Sequence, residues 1–497
     1  MDMLKSSTAE QQTAIAMFAD YLRQNAEAAA TLRQREYIIA SFRERSVELV
    51  VRKCMDGRVH GSKGLGFPPT TVTFGRTDGN KADLSFNNND FWHPLDTAAV
   101  RAGIRTPGMP ALFISSSHRS TRGSGCAAHR EEGDTKMQID ERALQCVLEQ
   151  VKRVGSVYPS TEIYAVGAAT DTDTMAKSLY FPDGTVFSPV HFAKTHALRQ
   201  PSDLFSPMFL EEPLDDPAAH RSVGGHTPSR LLEGSDAPMY QNLQTAITMQ
   251  DYLLRELSAV ERAGSNRNRV LQTEIADSLL KTLRGIDAMP SSLRRIFLYM
   301  MVWNTAYSLY QEDRIAAMHE NEREQHIEHA ETIIGYGNGF QTLKRNSCLL
   351  VKPGSNNDER TLRVAKNVMA SNRARNPQPH PPLVHINIEV EHPVSTWETF
   401  TDILARLRMK LRTVFSAFED EPSVMVLTTY SDEHNKQFFP VNPRPGNPRI
   451  PFPVNLASNV DPQHLQATLL RRNEERYTLD MLRSTDPSTI GQNGERM

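Results

Sequence analysis

Cys54, Asp56 and Arg58 bring a thiol, a carboxylate and a guanidinium into one five-residue stretch. Positive charge favours the thiolate, so Arg58 and Arg52 beside Cys54 would ease its ionisation. A thiolate so placed is either a nucleophile or a metal ligand. The rest of the chain decides which.

Two more donors lie downstream, His118 after Ser115-Ser116-Ser117 and Cys126 in the Gly-rich stretch beyond it. Two sulfurs and one imidazole suit zinc, and three protein ligands leave a fourth position for water, the pattern of a catalytic centre. His129 is an alternative third ligand, and spacing alone leaves that choice open. In this arrangement Asp56 would accept a hydrogen bond from a zinc-bound hydroxide. Arg58 would hold Asp56 through a bidentate pair and keep it off the metal. A second candidate group, His319, Glu322, His326 and His329, has no Glu-x-x-His or His-Glu-x-x-His pattern and reads as a solvated helix face.

The elements that must position these residues can be read from periodicity. The run Val47–Val51 predicts a buried strand that ends just before Cys54, and Gly57 and Gly61 allow a sharp exit. Pro110–Ile114 predicts a second strand that delivers His118 just past its end, and Thr161–Val166 a third. Thr71–Phe74 predicts a short strand, and 140–154 a helix. In open α/β sheets, ligands bind at the carboxyl ends of such strands. Gly64-Leu65-Gly66-Phe67-Pro68-Pro69 predicts a turn and not a phosphate cradle, because no helix follows it.

Residues 347–351, 382–388 and 423–429, with a helix over 396–415, repeat the order of strands and helices seen in the first third. That self-similarity predicts a duplicated α/β unit. The second copy has no Cys-x-Asp-x-Arg and is expected to be metal-free and structural. The expected divisions are a helical arm at 1–45, a zinc domain at 46–235, a helical block at 236–335, the degenerate copy at 336–480 and a loose tail at 481–497.

Composition excludes several classes. A net charge of −3 gives no field suited to nucleic acid or an anionic membrane. The longest apolar run, Ile296–Trp303, is far shorter than the ~20 residues that cross a bilayer. Four cysteines in 497 residues are no disulfide framework. The first residues do not read as a secretory signal. The expectation is a soluble, cytoplasmic protein with reduced thiols and 39% hydrophobic content, enough for real cores.

Taken in order, three landmarks resemble the β-class carbonic anhydrases. They are Cys-x-Asp-x-Arg at 54–58, Arg-x-x-Gly-Asn at Arg76, Gly79 and Asn80, and a strand ending in His118 followed by a glycine-adjacent Cys126. The resemblance covers roughly residues 46–190. It implies a mostly parallel central sheet flanked by helices, with one zinc per chain on Cys54, His118 and Cys126. It also implies an Asp56–Arg58 catalytic dyad, with zinc hydroxide attacking carbon dioxide to give bicarbonate. Seven residues separate His118 from Cys126, where ordinary members have two. With the doubled length and Thr170-Asp171-Thr172-Asp173, this is similar to the carboxysome shell carbonic anhydrase branch, in which an active domain is joined to a metal-free copy. That branch implies the carboxysome shell or rubisco as partner. The short stretch ahead of Cys54 favours a cytosolic relative instead. A homo-oligomer, dimer or higher, is expected of the helical arm. Alternative functions on the same zinc are hydrolysis of carbonyl sulfide or carbon disulfide, and bicarbonate capture. A non-enzymatic zinc-stapled scaffold is disfavoured by the intact dyad.

Overall fold

A computed structural model describes residues 9–56, 59, 64–68, 70–123, 125–211, 243–263, 270–320, 333–334, 347–350, 358–375, 381–390, 394, 397–421, 424–432 and 437–441. The chain divides into two compact units: residues 30–330 with 336–341, and residues 1–29 with 331–335 and 342–497.

The first unit is built on a six-stranded sheet. Its strands are β1 (Leu49–Cys54), β2 (Val72–Thr77), β3 (Ala111–Arg119), β4 (Ile163–Asp171), β5 (Lys177–Tyr180) and β6 (Val186–Phe187), in the order β2-β1-β3-β4-β5-β6. The first four pair in parallel and the last two antiparallel. In the order 2-1-3-4 the chain leaves β1 toward one edge and returns to the other, so the direction of winding reverses between β1 and β3. Open α/β folds bind ligands at that reversal.

Parallel strands covered on both faces read as continuous apolar runs. In β1, Leu49 and Val51 join one core cluster and Val50 the other. The Val50 side packs with Phe91, Trp92 and Leu95 of helix α1 (Asn89–Arg105) and with Val151 and Val154 of helix α2 (Lys136–Val157). Helix α2 opens on a capping box between Thr135 and Gln138, which satisfies free N–H groups and starts the helix four residues before the expected 140. The opposite face shares its core with Phe297, Leu298 and Met301 of helix α3 (Ser291–Ala317). The helical block expected as a separate segment at 236–335 therefore contributes, through Ser291–Ala317, to the core of the first sheet.

Helix α3 also fastens the loop that follows the Cys54 segment. A Cβ on Gly66 would stand 2.4 Å from Trp303 Cγ, and Gly66 has φ +74°, so only glycine fits. Asn304 Nδ2 donates to Gly64 O (2.8 Å) and Met175 O (3.0 Å), while its Oδ1 accepts from Lys177 N (2.7 Å). Gly64 and Leu65 are helical and Gly66 turns the chain, so the Gly64–Pro68 stretch is a helix end and turn packed on helix α3.

The second unit holds a five-stranded sheet. Its strands are β7 (Ile333–Ile334), β8 (Ser347–Leu350), β9 (Leu383–Val390), β10 (Met425–Asp432) and β11 (Phe439–Pro440), in the order β11-β10-β9-β8-β7. Strands β7 to β10 are parallel and β11 is antiparallel. Helices at Asp358–Arg375 and Trp397–Ala417 separate β8, β9 and β10. The two sheets share four parallel strands with an antiparallel edge, but the outer parallel strand follows β1 in the first and precedes β8 in the second. Residues 9–29, expected to form an arm, belong to this second unit, where Tyr21 Oη bonds His385 Nδ1 at 3.1 Å. The expected tail, 481–497, lies outside the described residues, and no described helix is long and apolar enough to cross a membrane.

Candidate metal centre

Cys54 is the last residue of β1, and His118 lies on β3 itself, not past its end. β3 runs beyond the expected Ile114 because β4 continues beside it, pairing Ser115 with Gly167 through Arg119 with Asp171. Its buried serines find partners: Ser116 Oγ meets Thr170 Oγ1 at 3.0 Å, and Ser115 Oγ donates to Gln150 Oε1 at 3.0 Å. Polar residues that satisfy one another in this way cost a strand little. Cys54 and His118 thereby reach neighbouring strand ends at the winding reversal.

The Cys54 and Cys126 sulfurs and a His118 ring nitrogen all lie within 4.8 Å of one another. The three residues are 5%, 3% and 5% exposed. Around a tetrahedral zinc, ligand atoms at about 2.3 Å (S) and 2.0 Å (N) stand roughly 3.3–3.8 Å apart. The observed separations, none above 4.8 Å, are near that geometry. The three residues are buried and close enough to bind a metal ion, and their donors suit a soft or borderline one. Among the described residues this is the one such group.

The two sulfurs are hydrogen-bonded to each other. Cys54 is held well below the ordinary thiol value, chiefly by a hydrogen bond from Cys126 and then by His118, against its burial. Cys126 is pushed up by the same bond and by burial. Arg52 is not the cause expected from the sequence. Its Nη1 donates to Asp90 O (3.1 Å) and its guanidinium lies 5.0 Å from the centre of the Phe91 ring. Arg58 lies outside the described residues.

Asp56 is 1% exposed, with Oδ2 3.9 Å from His118 Nδ1. Arg76, fully buried, directs Nη1 toward the backbone oxygens of Cys54 and Asp56, each at 3.5 Å. Burial pulls its guanidinium down to about 9, while Cys54 and Asp56 resist. The rest of the Arg-x-x-Gly-Asn motif ties elements together. Gly79 has φ +60°, and a Cβ there would stand 2.8 Å from Ala128 Cβ and from His129 Nε2. Asn80 Nδ2 donates to Ser115 Oγ at 2.9 Å. His129 Nε2 donates to Gly79 O at 2.7 Å, and burial lowers its basicity. That ring is a strut between loops, and Cys126 takes the third place in the group.

An open cleft of about 660 Å³ reaches His118 and is also lined by Arg119, Lys136, Asp140 and Tyr180. Asp140, which the sequence analysis did not single out, has a buried Oδ1 with no hydrogen-bond partner among the described residues. Burial raises its carboxyl, against Lys136, Arg119 and His118. Its one sequence signal is an acid in the first turns of a helix, which is too common to mark it. No protein-family model matches the chain, and no curated protein matches it.

Proposed function

We propose that the chain is a zinc-dependent carbonic anhydrase that interconverts carbon dioxide and bicarbonate. The observation that carries this reading is the buried Cys54, His118 and Cys126 set with the Asp56 carboxylate 3.9 Å from His118. Zinc, when bound, supplies Lewis-acid activation of water at a pKa of about 7. Cys54, His118 and Cys126 would hold it. Asp56, buried beside them, accepts a hydrogen bond from the attacking water and fixes its orientation toward carbon dioxide. In the resemblance Arg58 braces Asp56. Arg76 directs its guanidinium at the backbone oxygens of Cys54 and Asp56 and helps to hold that segment. Each hydration releases one proton, and Asp140, whose side chain lines the cleft beside His118, is our candidate to receive it. Burial raises that carboxyl, which moves it in the direction a proton relay needs.

The same resemblance supplies the rest of the proposal. The second sheet is a degenerate, metal-free copy, the assembly is a dimer or higher, and the setting is cytoplasmic or inside a carboxysome beside its shell or rubisco. The test is stopped-flow hydration of carbon dioxide under reducing conditions, with metal content measured on the same sample. Stoichiometric zinc with rapid hydration that rises with pH supports the reading. Stoichiometric zinc without hydration turns it to carbonyl sulfide or carbon disulfide, and absence of zinc overturns it.

A further inference from the structure

Lys177 on β5 is 2% exposed, and no carboxylate among the described residues pairs with it. Its Nζ meets two hydroxyls, Ser116 Oγ at 3.3 Å and Thr170 Oγ1. Thr170 stands opposite Lys177 on one side and His118 on the other, so Lys177 lies two strands from His118 in the sheet, with β4 between them. Lys53, also buried, feels the charge of Lys177, which opposes its own protonation. A lysine so deep without an anion is rare, because the ammonium loses its hydration and gains no ion pair. Burial alone brings this amine down to about 7, so near neutral pH much of it is the free base. A desolvated free amine is a nucleophile.

We propose that Lys177 is a carbamylation site, at which Nζ reversibly takes up carbon dioxide between the Ser116 and Thr170 hydroxyls. The proposal rests on the reading that this protein handles carbon dioxide, but its chemistry needs only the dissolved gas. The nitrogen lone pair forms an N–C bond and one C=O electron pair moves onto oxygen. The nitrogen gives up one proton to solvent, leaving a carbamate anion and no redox change. The two hydroxyls can turn to donate to that anion. Gly64 faces the lysine stem, where even an added Cβ would stand 3.6 Å from Lys177 Cε, an ordinary contact.

Carbon-13 NMR tests the adduct directly. The full-length protein, labelled with nitrogen-15 at the lysine side-chain amines, is equilibrated with 13C-bicarbonate near neutral pH. A carbamate on lysine then shows a carbon resonance split by its bonded 15N, while one on the chain's α-amine shows none. The expected result is a split resonance in the folded wild type that disappears in denaturant, where lysine regains its ordinary basicity. It should also disappear in Lys177→Arg or Lys177→Met, either of which removes the nucleophile. No split resonance in the folded wild type, or its persistence in a folded variant, overturns the proposal. Hydration measured on the same sample reads the carbonic anhydrase proposal separately, since carbamate formation does not depend on zinc.

Discussion

Within the metal centre, Asp56 is close to the thiols yet is not one of the three grouped donors. The water-orienting role proposed for Asp56 can therefore be tested separately from the proposed zinc binding. Asp56→Asn keeps the shape and removes the charge. We expect zinc content to stay at the wild-type level while kcat falls by ~10²–10⁴, the usual size of a lost acid–base or orienting contact. Unchanged turnover would remove Asp56 from the mechanism. Lys177 makes a prediction that reads stability and not catalysis. Its folded value, about 7, lies below the unfolded 10.5, so across that window the unfolded chain binds more protons. Stability then rises with pH through the window. Lys177→Met removes this share. The wild-type minus variant difference in unfolding free energy should climb by a few kcal/mol between those two pH values and level off outside them. Urea denaturation at a series of pH values measures it, and a flat difference would mean the amine is not desolvated as described.

For the elements, the question is how a stretch as long as 119–125 holds Cys126 in place. The end of β4 and the turn after it supply the answer. Asp173 accepts from Ser120 Oγ and Arg122 N, both at 2.8 Å, and Asp171 accepts from Thr121 Oγ1. Both carboxylates are buried and fully engaged by the loop that leads to Cys126. The Thr170-Asp171-Thr172-Asp173 segment is thus a brace for the ligand loop. Removing it with Asp173→Ala should weaken zinc binding by ~10–100-fold, the range found when groups that orient metal ligands are deleted. A chelator competition titration, with circular dichroism as the check on folding, measures this. Unaltered affinity would show that Gly79, His129 and Arg142 hold the loop without help; Arg142 Nη2 already donates to His129 O at 2.7 Å.

At the scale of the molecule, the first unit reaches well beyond the span that carries the motifs. Phe297, Leu298, Met301 and Trp303 are essentially inaccessible and share a core with Val51, Leu112, Ile114 and Val166 of the sheet. A chain ending at Pro238 would lack that helix and expose one apolar face of the sheet. Large exposed apolar patches drive association. We expect such a fragment to aggregate, as read by light scattering and binding of a hydrophobic dye. A monodisperse, well-folded fragment would mean that another segment covers the face. A protein spanning residues 30–330, the first unit, retains the helix and should remain dispersed.

Local sequence by itself determined the strands and much of the chemistry. β-Branched and apolar runs sit at both β1 and β3, and Cys54 and Asp56 are near in the chain, so their proximity needs no fold to reveal it. Long-range pairing decided the rest. β3 extends through three serines because β4 offers it partners, which periodicity cannot show. Cys126 joins the thiol group while His129 braces Gly79, a choice set by loop packing and invisible to spacing. Arg52 turns to Phe91 and away from the thiol, since a side chain's direction at a strand end depends on what packs above it. Lys177, Asn304 and Gly64 meet across more than a hundred residues, and Asp140 acquires its character only from the cleft around it. Local propensity acts over a few residues, whereas burial and charge pairing are properties of neighbours that the chain assembles from distant parts.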